Sequence, residues 1–253
     1  MFKILRILIL LFVLASVYST YLIQQNVASD WNGFITIKIV PVNVDGSRAT
    51  QRFIDTLKIK DFEEVERYLT KSAESYGVDI DNGMSIELEP TISSPPPSLP
   101  SSDSGSISIG FWSLRLRFWA WQNQASDHES SFIRLYMLYQ SPVSGTPLPH
   151  STGLRNGLIG LINARAKTSQ KRFHNVVLTH ELLHIFGAQD KYDLSTGEPL
   201  YPQGYLNPQR SSQAYAEIMA RAKPLENGRF EVATTLSQVR IGRQTADEIG
   251  WPP

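Results

Sequence analysis

Thr179-His180-Glu181-Leu182-Leu183-His184-Ile185-Phe186-Gly187-Ala188-Gln189-Asp190 is the stretch from which the rest of the chain is read. On an α-helix His180 and His184 lie one turn apart on the same face. Their axial separation is about 6 Å at the helical rise, so both rings can converge on one zinc ion. Glu181 adjoins the first imidazole and points to a neighbouring sector. A carboxylate there can take a proton from a water on the ion without binding the ion itself. A catalytic zinc usually takes three protein ligands and keeps one position open. The chain has no cysteine, so the third ligand comes from His, Asp or Glu. If Gly187 stops the helix and turns the chain back, Asp190 reaches the same ion. Glu217 is the alternative third ligand, and Asp193 a weaker rival. His128, His150 and His174 read as surface or supporting residues.

Working outward, the helix carrying this stretch is predicted from about Ser169 to Phe186. A strand candidate, Gly157 to Ala164, stands just before it. Phe34 to Val42 alternates and is β-branched, Met84 to Leu88 is a short strand, and Phe132 to Tyr139 is another. Leu114-Arg115-Leu116-Arg117-Phe118-Trp119-Ala120-Trp121 alternates as well and is predicted as a strand. Its Trp119 and Trp121, with Trp112, are expected to pack against a sheet or in the core. Arg52 to Tyr76 has apolar residues at near-helical spacing, giving one long or two short amphipathic helices. Residues 90–109 are rich in Pro, Ser and Gly and read as a long loop within one domain. The tail from Thr234 to Ile249 is expected to be helical.

Residues 1–30 have a different character. Lys3 and Arg6 precede a 17-residue, mostly apolar run from Ile7 to Ile23. That length is at the lower limit for a membrane span and long for a signal-peptide core. Tyr18 and Tyr21 near its far end favour an uncleaved single-pass anchor, with the positive end in the cytoplasm and the rest of the chain outside. The small residues of Val27-Ala28-Ser29 offer a cleavage site, and cleavage would give a secreted protein. Residues 31–253 form the expected extracytoplasmic domain.

The pattern His180-Glu181-x-x-His184-x-x-Gly187-x-x-Asp190 resembles the extended zinc signature of the metzincin metallopeptidases. It is closest to the variant ending in Asp, as in the snapalysin-type enzymes. The resemblance implies an α/β (α+β) fold: a twisted mixed β-sheet, a zinc-binding active-site helix and a C-terminal helix, here preceded by the N-terminal membrane helix. It implies zinc as cofactor, with His180, His184 and Asp190 as ligands and Glu181 as the catalytic base. It also implies a methionine turn at Glu217-Ile218-Met219-Ala220, with Met219 beneath the imidazoles and not a ligand. Some members carry a Tyr two residues after that Met, where this chain has Arg221. Tyr192, Tyr201, Tyr205 and Tyr215 are the candidate substitutes. The strand from Leu158 to Ala164 resembles the edge strand on which metzincins bind an extended substrate, and the segment from Leu194 to Tyr215 would form the lower rim of the cleft.

The implied activity is zinc-dependent endopeptidase chemistry on a peptide or protein substrate, at a membrane reached through residues 7–23. The alternative is a non-catalytic zinc-bearing module that binds peptides or envelope partners, although such a module has no need of Glu181. The 24 basic and 24 acidic residues balance and form no extended basic stripe, which argues against a nucleic-acid partner.

Overall fold

The computed structural model describes residues 31, 33–80, 83–100, 105–123, 132–142, 147–155 and 157–252. The predicted anchor at 7–23 and His128 lie outside them. Among the described residues no helix is long and apolar enough to cross a membrane.

A five-stranded, mostly parallel sheet carries the molecule. Its strands are β1 (Ile35–Asn43), β2 (Met84–Leu88), β3 (Phe132–Gln140), β4 (Thr152–Leu154) and β5 (Ile159–Arg165). They are ordered β2-β1-β3-β5-β4. β1 pairs parallel with β2 and β3, β3 pairs parallel with β5, and β4 alone runs antiparallel, against β5. The central strands are apolar on both faces because both are covered. Ile35, Ile37 and Ile39 of β1 join Ile133, Leu135 and Met137 of β3 in the larger core, while Val40, Val42, Tyr136 and Leu138 point into the smaller one.

The larger core is roofed by α1 (Arg48–Ile54), α2 (Glu63–Ser75) and α4 (Lys171–Phe186). Ser47 caps α1, its hydroxyl accepting the Thr50 N–H at 3.1 Å. α2 turns Val65, Leu69 and Ala73 inward and sheds its charges outward, as its spacing predicts. α4 is covered on most sides, polar residues such as Asn175 and Thr179 included, and Leu178, Leu182, Leu183 and Ile185 are fully buried. Truncating one of these leucines to alanine should cost about 2–5 kcal/mol.

The opposite face is covered by α3 (Ser106–Gln122), and here the strand expected at 114–121 is corrected. Leu116, Trp119 and Ala120 pack on the sheet, but Leu114, Phe118 and Trp121 face solvent. Trp121 is 62% exposed, so the expected packing role holds for Trp119 and fails for Trp121. The Trp112 and Trp119 indoles donate to the Pro97 carbonyl and the Ser94 hydroxyl, tying the proline-rich segment to this helix.

The tail is also corrected. In place of one helix it forms a short 3-10 turn at Leu236–Gln238, a two-residue strand at Val239–Arg240 and α5 (Arg243–Glu248). Gly242 stands at the start of α5 in extended conformation. A side chain there would meet the Glu217 side chain at 3.0 Å.

Candidate metal centre

α4 delivers both imidazoles, and Gly187 ends it. The glycine has φ 116°, a left-handed conformation that other residues adopt only under strain. Its N–H and that of Ala188 both return to the Leu183 carbonyl, at 3.0 and 2.9 Å. The chain then doubles back and presents Asp190 to the helix it has just left.

Three ligand atoms converge there. The Nε2 atoms of His180 and His184 are 3.1 Å apart, and Asp190 Oδ1 lies 3.1 Å from the first and 3.2 Å from the second. Among the described residues these are the side chains brought together in a group that could hold a metal ion. Three corners of a tetrahedron with bonds of ~2.0–2.1 Å lie ~3.3 Å apart, so the triangle has the size such an ion requires.

Supporting contacts orient the rings. His180 Nδ1 lies 3.1 Å from the Ile218 carbonyl and His184 Nδ1 lies 2.8 Å from the Ala188 carbonyl. A carbonyl can only accept, so each Nδ1 carries the proton and each Nε2 turns its lone pair to the centre. Asp190 Oδ1 is buried without a hydrogen-bond donor. Two lone pairs and an orphaned carboxylate oxygen facing one point suit a bound cation.

In the metal-free chain the same charges favour a proton at the point where a cation would sit. Burial acts to raise the Asp190 carboxyl, but the two histidines beside it outweigh burial and hold it well below the usual carboxylate range. Burial acts against a charged His180, and the Asp190 and Glu181 carboxylates outweigh it and raise its pKa. Glu181 is only 6% exposed, and burial pushes its carboxyl up, opposed by the two histidines. The Gly153 N–H donates to that carboxylate. A side chain at Gly153 would collide with the Glu181 carbonyl oxygen and come within 2.9 Å of His184 Cβ. β4 therefore rests directly on α4 at the metal cluster, and Gly153 is part of the site's construction. The sequence shows it only as one glycine in a turn-rich stretch.

The turn Ile218–Ala220 lies under the helix, with Met219 fully buried. Through Ile218 it supplies the carbonyl that fixes His180. Arg221 closes it in left-handed conformation, φ 67°. Glu217 is turned elsewhere. Its Oε2 accepts the Met219 N–H at 2.6 Å, and its Oε1 accepts from Gly242 N at 3.1 Å and Thr245 Oγ1 at 2.6 Å. Both oxygens are committed to holding the turn against α5, so the alternative ligand stands outside the cluster. Asp193 is likewise occupied by the backbone and hydroxyl of the turn that follows it.

A cavity of about 470 Å³ opens beside His180 and Glu181, walled by Phe173, Val176, Val177, Ile218 and Val232, with Tyr192 and Arg221 at its polar side. Of the tyrosine substitutes, Tyr192 lines this cavity, its ring 6.3 Å from that of His180. Tyr201 and Tyr205 line a different cavity, and Tyr215 stacks under Arg240. His150 also lines the cavity, whereas His174 is buried, its Nε2 accepting the Arg165 N–H at 3.2 Å. A larger cavity of about 950 Å³, between α2 and the N-terminal half of α4, includes none of the cluster residues.

No protein-family model matches the chain, and no curated protein matches it.

Proposed function

We propose that the chain is a zinc-dependent endopeptidase, held at a membrane by residues 7–23 with its catalytic domain outside. One observation carries the reading: the His180, His184 and Asp190 atoms close a triangle of 3.1–3.2 Å beside a buried Glu181. Two neutral imidazoles and one carboxylate are a zinc donor set that leaves room for a further ligand. When bound, zinc supplies a polarised water and a Lewis acid for the peptide carbonyl.

The chain's own residues do the rest. Glu181 accepts the proton of the attacking water and returns it to the leaving amine. Burial raises its pKa, which makes it a stronger base, and the Gly153 N–H fixes its position. The apolar cavity beside it takes a substrate side chain and keeps water away from the reacting bond. Among the described residues the sheet ends at β4, not at the strand from Leu158 to Ala164, because β4 covers that strand's outer side. An extended peptide would therefore add to β4, beside Glu181.

The test is the Glu181→Gln variant. It should keep its zinc and lose hydrolysis of an unfolded protein substrate. Full activity in that variant would sink the mechanism, while wild-type protein that binds zinc and peptide without cleaving would point to the binding module instead.

A further inference from the structure

Among the described residues, none covers one face of α3. Ile107, Phe111, Leu114, Phe118 and Trp121 are spaced by four, three, four and three residues, so they form one stripe along the helix. Each is 56–79% exposed, and the Phe118 and Trp121 rings lie 5.7 Å apart. Soluble monomers rarely show a continuous apolar surface of this kind unless something binds it. α3 holds two arginines and no acidic residue, and Arg115 is exposed beside the stripe. A second copy of the helix would bring no carboxylate to meet that charge, whereas an anionic headgroup would.

The position of the helix limits what can cover the stripe. If Ile7 to Ile23 crosses a membrane, only seven residues, 24–30, precede Trp31. Such a tether spans at most ~25 Å, so some face of the domain lies close to the bilayer. The C-terminal end of α3 lies at the end of the sheet where β1 and β3 begin, whereas Trp31 itself packs on the other face, against Phe186. Asn123 shares a small cavity with Lys38 and Arg134, in the first halves of β1 and β3.

We propose that the exposed face of α3 docks on the lipid bilayer, with Phe111, Leu114, Phe118 and Trp121 among the acyl chains and Arg115 at the headgroups. This rests on residues 7–23 being an anchor, and it is independent of the peptidase reading. A tethered helix meets the bilayer at high effective concentration, so modest affinity suffices. The opposite face, with α2 and α4, then points away from the lipid.

The absence of cysteine makes the test clean. The full chain carrying Phe118→Cys is labelled with bimane and reconstituted into vesicles of phosphatidylcholine and phosphatidylglycerol, with or without bromine on the phosphatidylcholine acyl chains. The label should lose most of its emission in brominated vesicles, and a label on Lys71→Cys, on α2, should lose none. Adding Phe111→Glu and Leu114→Glu should restore the emission at position 118 while the chain still floats with the vesicles and keeps its metal content. An unquenched label at 118, equal quenching at 71, or a disulfide between two Phe118→Cys chains would overturn the proposal, the last by showing a second copy on the stripe. A glutamate variant that leaves the vesicles entirely would show that residues 7–23 do not anchor the chain, and would overturn the proposal that rests on them.

Discussion

Lys191 and Glu248 form an ion pair at 2.7 Å whose lysine side chain is only 2% exposed. The pair holds the loop that carries Asp190. Glu248 Oε2 also accepts the Gln189 N–H at 2.9 Å, and the Lys191 N–H donates to the Met219 carbonyl at 2.9 Å. The residues on either side of Asp190 are thus fixed, one to α5 and one to the Ile218–Ala220 turn. Glu248→Gln should therefore weaken zinc binding by at least about tenfold, the scale on which supporting contacts act. Competition titration against a chromophoric chelator measures it, and unchanged affinity would remove α5 from the metal centre.

Asp190 and Glu217 should fail in opposite ways. Asp190→Ala removes the carboxylate from the triangle, so zinc should be lost with little change in the stability of the metal-free chain. Glu217→Ala strips three donors of a buried acceptor and should cost about 2–4 kcal/mol by urea unfolding. Zinc retained in the first variant and lost from a folded second would restore Glu217 as the ligand.

Gly153→Ala places a methyl group against the Glu181 carbonyl and His184 Cβ. β4 must then lift from α4. Both the support of Glu181 and the proposed substrate edge go with it, so the proposed hydrolysis should fall about tenfold or more, with a destabilisation of about 1–3 kcal/mol. Wild-type kinetics in this variant would mean that β4 is not part of the site.

Acid should act through His174. Burial lowers its pKa from 6.5 to about 4, and its neighbours are the Arg165 N–H and the Tyr139 ring. The folded value lies below the unfolded one, so the unfolded chain binds more protons between them. Stability is complete above pH 6.5 and falls as the pH drops toward 4, by about 3 kcal/mol in all. Denaturant midpoints of His174→Gln should fall less steeply across that window than those of the wild type, and parallel curves would exclude His174 as the cause.

The metal cluster was legible because its logic is local. The four-residue spacing of His180 and His184, the stop at Gly187 and the return to Asp190 are all written within eleven residues. The buried strands were legible for the same reason. α3 was not, because Leu114, Leu116 and Phe118 alternate with arginines as a strand would, and the helix is apolar on both the sheet side and the solvent side. Gly153 and Glu248 were invisible for a different reason. Each works across more than twenty residues of sequence, and neither has a neighbour that signals its partner.

Trp31 packs against Phe186 with ring centroids 4.4 Å apart, and its indole donates to the Ile249 carbonyl at 2.6 Å. Phe186 is the last residue of α4 and precedes Gly187. A pull on the segment before Trp31 is therefore borne first by the end of the helix that holds the two histidines, and by the tail that positions Glu248. Loosening Trp31 would be felt at the turn that brings Asp190 back to the two histidines, so the integrity of the candidate metal centre depends on a contact made more than 140 residues earlier in the chain.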